Sequence, residues 1–218
     1  ERSATETVLR ARTSNAKYGD VEVDVAVARP AGHESTNVVI PWSAKRFQFT
    51  SKHNTRPATG TVRVGAHEWE LGPDAFGTLD LGRGVWPHRI NWNWAAASGT
   101  TDGRVIGLQF GGKWTEGTGH TENAVCVDGR LSKLHHELEW TYDWNRPTEP
   151  WRVVDPGGRL DATLTVGHDK HSRTDLKLLS MEVHQCFGTW SGWLVTDAGE
   201  RVEFDGLLGF AEEARNRW

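Results

Sequence analysis

Sulfur is scarce in this sequence. Of 218 residues only Cys126 and Cys186 are cysteines, and only Met181 is a methionine. The cysteines lie in apolar, strand-like segments with no Cys-x-x-Cys spacing, which excludes a disulfide-stapled framework and reads each as a buried free thiol. A reducing, cytoplasmic compartment is the matching expectation. With Glu1 first and no methionine before Met181, the chain reads as a processed or shortened one. It has no apolar run approaching the ~18 residues of a membrane span and no charged-then-apolar leader. Charge of one sign is lacking too. Lys and Arg number 25 against 29 Asp and Glu, the formal net charge is -4 and the pI about 6.2, with both signs scattered. That pattern excludes the concentrated basic surface of a nucleic-acid or anionic-membrane binder. Signatures of several enzyme classes are missing as well. There is no phosphate-cradling loop or dinucleotide fingerprint, and in Gly188-Thr-Trp-Ser-Gly192 the serine comes one position late for a nucleophile elbow. No repeat of ~20–50 residues suggests a propeller.

What is present is alternation. Val21, Val23, Val25 and Val27 interleave with Glu22, Asp24, Ala26 and Ala28, the period of a half-buried strand. The same period recurs over 46–52, 61–64, 67–71, 88–94, 104–110, 123–127, 131–140, 159–165, 179–187, 193–196 and 201–204, giving about a dozen strands. Asp128-Gly129 separates two runs by two residues, a strong hairpin signal. Val64-Gly65-Ala66, Asp102-Gly103 and Asp197-Ala198-Gly199 read as further turns, so neighbouring strands are expected to be antiparallel. Only the tail, with Leu207, Leu208, Phe210, Ala211 and Ala214 leading to Trp218, spaces its apolar residues helically, and a short C-terminal helix is predicted there. The expected fold is all-β, an antiparallel barrel, because closure removes exposed sheet edges. Residues 1–87 read as an N-terminal β segment belonging to part of a first barrel, and 88–218 as the C-terminal barrel with its closing helix. The Pro-containing stretch 145–156 is a candidate long loop that carries Trp151 and covers a cavity mouth.

Twelve tryptophans exceed what a core of this size needs. Each alone reads as core, but the excess points to an aromatic-walled pocket with a few polar groups for orientation. Trp92 and Trp94 alternate with Asn91 and Asn93; Trp190 and Trp193 follow His184 and Gln185. The densest polar stretch is Gly111-Gly-Lys-Trp-Thr-Glu-Gly-Thr-Gly-His-Thr-Glu-Asn123. Within it His120 and Glu122 are the candidate acid/base pair, since a carboxylate beside an imidazole fixes its tautomer and raises its pKa. Lys113 and Asn123 are candidate orienting groups. Arg46, Gln48, Thr50 and Lys52 share one strand face. Facing inward, that polarity demands a ligand or partners; facing outward, it is merely solvated; both readings stay open. Arg46 and Lys52 are carried as candidate ligand contacts with Trp92, Trp94, Asn91, Asn93, Trp190, His184 and Gln185. In His168-Asp169-Lys170-His171 a metal site lacks a third and fourth ligand, so no metal is expected. Glu137 and Glu139 share a strand face as a glycosidase pair would, and with His135 read as a solvated face.

Several strings carry a family resemblance: Asn37-Val-Val-Ile-Pro-Trp-Ser43, Arg46-Phe-Gln-Phe-Thr-Ser-Lys52, Arg83-Gly-Val-Trp-Pro87, Gly112-Lys-Trp-Thr115, Thr121-Glu-Asn123, Val127-Asp-Gly-Arg130, Glu182-Val-His184 and Glu212-Glu-Ala-Arg-Asn-Arg-Trp218. From about residue 20 onward the chain resembles a bacterial family known as domain of unknown function 2804, matching the C-terminal two-thirds of its members. The resemblance implies an N-terminal segment of the same protein as a further partner of the barrel. More distantly the chain is similar to the lipocalin-like superfamily of carotenoid hydratases and tocopherol cyclase. That similarity implies a barrel pocket for a lipid or isoprenoid-like molecule and cofactor-independent isomerase, cyclase or hydratase chemistry. The alternatives are a non-catalytic lipid carrier and a carbohydrate-binding β-sandwich that uses exposed tryptophans and Glu137 and Glu139.

Overall fold

The structure is a computed structural model and describes residues 3–176 and 178–218. Every regular element among them is a β-strand, and no helix is long and apolar enough to cross a membrane. Six strands, β1 (Glu6–Asn15), β2 (Gly19–Ala28), β3 (Thr36–Ser43), β4 (Arg46–Val64), β5 (His67–Glu70) and β6 (Phe76–Val85), form one sheet. Its hub is the 19-residue β4. The first half of β4 pairs with β3 and β6, and its second half with β2 and β5. The change of partners falls at a bulge between His53 and Arg56, where Thr55 takes a positive φ of 51°, the local irregularity that bends a strand and increases its twist.

Nine strands form the second sheet: β7 (Arg89–Thr101), β8 (Arg104–Gly112), β9 (Ala124–Val127), β10 (Arg130–Lys133), β11 (Glu139–Thr141), β12 (Trp151–Val154), β13 (Leu160–Leu176), β14 (Leu179–Val195) and β15 (Arg201–Arg217). Their spatial order is β10-β9-β8-β7-β15-β14-β13-β12-β11, with all pairs antiparallel. The two-residue turns Asp102-Gly103 and Asp128-Gly129 have positive φ at both positions, the geometry that matches strand twist in a tight hairpin.

This sheet curls into a half-barrel. Phe110 on β8 and Trp190 on β14 are three strands apart, yet their rings meet edge to face at 5.9 Å, which only a strongly curved sheet allows. Inside the curl Phe110, Trp151, Trp190, Leu108, Leu160, Leu164, Leu194 and Leu207 are fully buried in one cluster. Each contributes roughly 1.5–3 kcal/mol by leaving water.

The C-terminal helix expected from apolar spacing does not form. Residues 207–217 belong to β15, which lies between β7 and β14. A short apolar run reads equally as helix or strand, and here the face turned away from the core is apolar too, with Leu208 and Phe210 lining a groove, so polar alternation is lost. Pairing with two neighbours decides for the strand.

Candidate functional site

The convex face of the half-barrel meets β4 and encloses a cavity of about 380 Å³. Period-two alternation delivers its walls. Trp92 and Trp94 project from β7, Glu212 from β15, Gln48, Thr50 and Lys52 from β4, and Asp80 from β6 opposite Lys52. The loop between β8 and β9 adds Trp114 and Glu122, the β6–β7 connection Trp86, and the chain end Trp218. With Trp42, which donates its indole N–H to the Trp114 carbonyl at 2.9 Å, the tryptophans form one cage around Trp86. Ring centroids lie 5.1 Å from Trp86 to Trp42, 5.6 Å to Trp92, 5.7 Å to Trp114 and 6.4 Å to Trp218. Six of the twelve tryptophans, counting Trp94, thus gather at one site.

Glu122 is the chemical centre of this wall. It is 1% exposed. Trp114 Nε1 donates to Oε1 at 3.0 Å, Thr50 Oγ1 donates to Oε2 at 3.1 Å, and Lys52 Nζ stands 3.4 Å from Oε2. Burial pushes its pKa up, against the pull of Lys52, Trp114 and Thr50 in the other direction. Lys52, itself 5% exposed, is shared with Asp80 at 2.8 Å and lies 4.2 Å over the Trp94 ring. Glu212 accepts from Trp92 Nε1 at 2.9 Å and from Gln185 Nε2 at 2.8 Å, and burial raises its pKa as well. The site therefore holds two carboxyl groups poised toward the protonated form and one ammonium, walled by indoles. Gln48 is 5% exposed, and its Oε1 has no protein partner among the described residues.

Space for the Glu122 side chain comes from Gly111 on β8. A Cβ there would fall within the van der Waals envelope of the carboxyl group, so only glycine lets the acid lie flat against the strand. Asn123 splints the same loop, accepting from the Gly111 N–H at 2.8 Å and donating to the His136 carbonyl at 3.1 Å. Behind it, burial lowers the Lys133 pKa to about 8, and its ammonium donates to the Thr121 carbonyl. A wider apolar groove of about 730 Å³ runs beside the cavity along Val27, Phe76, Phe187, Leu208 and Phe210. Phe210 meets Trp94 edge to face at 4.8 Å, which links the two spaces.

Of the residues singled out from sequence, Trp92, Trp94, Lys52 and Glu122 line this cavity, and Gln185 reaches it through Glu212. Arg46 is exposed and holds the Trp86 carbonyl with Nη1 at 2.7 Å. His120 does not share a strand face with Glu122: β9 begins only at Ala124, and His120 is exposed in the preceding loop. Asn91, Asn93, His184 and Trp190 lie on the opposite face of the sheet from Trp92 and Trp94, because adjacent residues of a strand point to opposite sides. Asn91 is exposed there, and Trp190 is buried in the core. Asn93 joins a second polar cluster in which Glu213 accepts from Lys113 at 2.6 Å, from Arg215 at 2.8 Å and from the Tyr142 hydroxyl at 2.7 Å. Lys113 thus serves that cluster and not the cavity. Glu137 accepts from Thr115 at 3.1 Å, and Glu139 is exposed on β11.

Sequence reasoning missed Glu212, Asp80, Trp86, Trp114 and Trp218 as cavity residues. Trp114 stood within the glycine-rich loop already singled out, and Trp86 and Trp218 were countable in the tryptophan excess. Glu212 and Asp80 carried no local signal.

Fold and cavity together define an all-β, lipocalin-like protein built on a curled antiparallel sheet. The chain belongs to the family described as Domain of unknown function (DUF2804), whose model matches residues 1–218. Among solved structures, kievitone hydratase from Nectria haematococca superposes with a TM-score of 0.50 at 13% identity, over 97% of this chain and 64% of that one. CghA with Sch210972 gives a TM-score of 0.43 at 11% identity, over 97% of this chain and 74% of that one. The chain thus spans less than two thirds of the kievitone hydratase chain. No curated protein sequence matches it.

Proposed function

We propose that the tryptophan-walled cavity binds a small, largely apolar molecule and that Glu122 acts on it as a general acid. The observation that carries this reading is a buried carboxyl of raised pKa on the wall of an indole-lined cavity. Burial favours the protonated form of such a group, so it holds its proton to higher pH than an exposed glutamate does. The Trp114 indole N–H, the Thr50 hydroxyl and the Lys52 ammonium already point at its oxygens and stabilise the carboxylate left after transfer. Indole faces favour positive charge developing on the substrate. A proton delivered to a carbon–carbon double bond creates that charge. Capture by water gives hydration, capture by an internal nucleophile gives cyclisation, and loss of a different proton gives isomerisation. The carboxylate left on Glu122 by the first transfer takes up the proton that each route releases and restores the acid. The fold shared with kievitone hydratase supports hydration of an unsaturated small molecule as one member of this set. His120, exposed in its loop, takes no part.

Native mass spectrometry of protein purified without additives identifies a co-purifying ligand, which is then supplied to the wild type, Glu122→Gln and His120→Ala. Turnover is expected to fall by about 10²–10⁴-fold in Glu122→Gln, with binding retained, and to persist in His120→Ala. A ligand that leaves unaltered from the wild type would instead establish a carrier, and unchanged turnover in Glu122→Gln would remove the acid from the mechanism.

A further inference from the structure

A second site lies on the other face of the half-barrel, where β13 and β14 run side by side. His171 and His184 are direct cross-strand partners, and Glu182 is on the same face of β14 two residues before His184. One ligating atom from each of His171, Glu182 and His184 falls within 4.8 Å of the others. We propose that these three side chains bind a divalent transition-metal ion of the zinc type, with the fourth position left to water or a small ligand.

The geometry carries the assignment in three ways. First, His171 Nε2 and Glu182 Oε1 are 3.1 Å apart. Ligands about 2.0–2.1 Å from a tetrahedral ion stand roughly 3.3 Å from one another, so this pair is already spaced to share one, and the third ligand lies within 4.8 Å of both. Second, His184 Nδ1 is engaged by Asp169 Oδ2 at 2.8 Å. That hydrogen bond fixes the tautomer with the proton on Nδ1 and leaves Nε2 as a lone-pair donor, the carboxylate–histidine–metal relay that orients metal-bound imidazoles. Third, the rings are held in place. The two imidazoles stack at 4.2 Å and 8°, and Trp144 meets His184 edge-on at 4.5 Å. Two arginines flank Glu182 as cross-strand partners, and each has an anion of its own: Arg215 stacks 3.6 Å over Trp144 and pairs with Glu213 at 2.8 Å, and Arg173 pairs with Asp175 at 3.7 Å.

The sequence motif 168–171 showed His171 and Asp169 but not their partners, which sit eleven to fifteen residues further on and arrive by strand pairing. Two nitrogens and one carboxylate oxygen with an open position match zinc better than calcium or magnesium, which take oxygen ligands.

Tag-free protein stripped with a chelator is titrated with Co²⁺, read by its visible absorption bands, and with Zn²⁺, read by calorimetry and by Tm. One ion per chain and a raised Tm are expected. His171→Ala and Glu182→Gln, at half-exposed positions, should each weaken binding more than tenfold, and Asp169→Asn by about 10–100-fold. His67→Ala, at an exposed histidine elsewhere, should leave binding unchanged. Absence of saturable binding, or affinity equal in wild type and His171→Ala, overturns the proposal. Circular dichroism of each variant separates a lost site from a lost fold.

Discussion

Replacing Glu122 by glutamine removes one ionisable group from the cavity and leaves its shape. The wild-type carboxylate accepts from Trp114 and Thr50 and faces Lys52. An amide offers a single acceptor oxygen, so one of the two donors loses its partner, a cost of about 1–3 kcal/mol. Lys52 keeps Asp80 at 2.8 Å and so retains a counter-ion. Against that loss stands the burial that raises the Glu122 pKa. A group whose pKa is higher folded than unfolded contributes stability that is fully present below its unfolded pKa and lost as pH rises through the folded value. The variant lacks this loss. Glutamine should therefore cost stability in full near pH 4, below the ordinary glutamate pKa, about 2–12 °C in Tm for a chain of this length, and the deficit should shrink as pH rises to 8. Glu212 titrates in the same direction in both proteins and cancels in the difference. Urea unfolding of wild type and variant at both pH values measures this directly. A deficit that is constant with pH, or that grows as pH rises, would refute burial as the dominant influence on Glu122.

Gly111→Ala places a methyl group against the Glu122 carboxyl. The expected cost is about 1–3 kcal/mol by urea unfolding, together with weakened ligand binding because the acid is displaced into the cavity. Trp86→Ala removes the indole that contacts Trp42, Trp92, Trp114 and Trp218. Aromatic pairs are worth about 0.5–1.5 kcal/mol each, so stability should drop by about 2 kcal/mol or more, and ligand affinity at least tenfold, by equilibrium unfolding and fluorescence titration. Glu213→Gln acts with the opposite pH sign to Glu122→Gln. Although burial pushes the Glu213 pKa up, its bonds to Arg215, Lys113 and Tyr142 outweigh it and hold the pKa low, so the wild-type advantage of about 1.5–3 kcal/mol should be present at pH 7 and fade as pH falls through the carboxylate range.

The fold was largely legible because its main signal is local. Alternation located most strands, and Asp102-Gly103 and Asp128-Gly129 fixed two hairpins that the structure contains. The tail was misread where that signal vanishes: on the face of β15 turned away from the core, Leu208 and Phe210 are apolar and line the groove, so with Leu207 and Ala211 they show no polar alternation. The site was legible only in part, for a related reason. Sequence names the residues of a strand but not which side of the sheet is occupied. Trp92 and Asn93 look like one constellation in the chain, whereas the pleat sends the indole to the cavity and the amide to Tyr142. Glu122 and Glu212 are ninety residues apart in number and meet the same cavity through long-range pairing that no local window contains.

One strand shows how this architecture separates two electrostatic tasks. Glu212 and Glu213 are neighbours on β15, yet the first faces the indole cage and the second the face that carries Lys113, Tyr142 and Arg215. With an indole and an amide as its direct partners, Glu212 is governed by burial and its pKa rises. With two cations and a phenol hydroxyl, Glu213 is governed by its partners and its pKa falls. The backbone is common to both, so the difference lies wholly in what each face of the sheet supplies. A curled sheet with both faces covered can thus hold one carboxyl ready to give up a proton and, one residue away, another kept as a permanent anion that ties β15 to the β8–β9 loop. The proton-donating reading of the cavity depends on this separation: bringing a second cation to the convex face would lower the pKa values of Glu122 and Glu212 together and convert both into simple counter-ions.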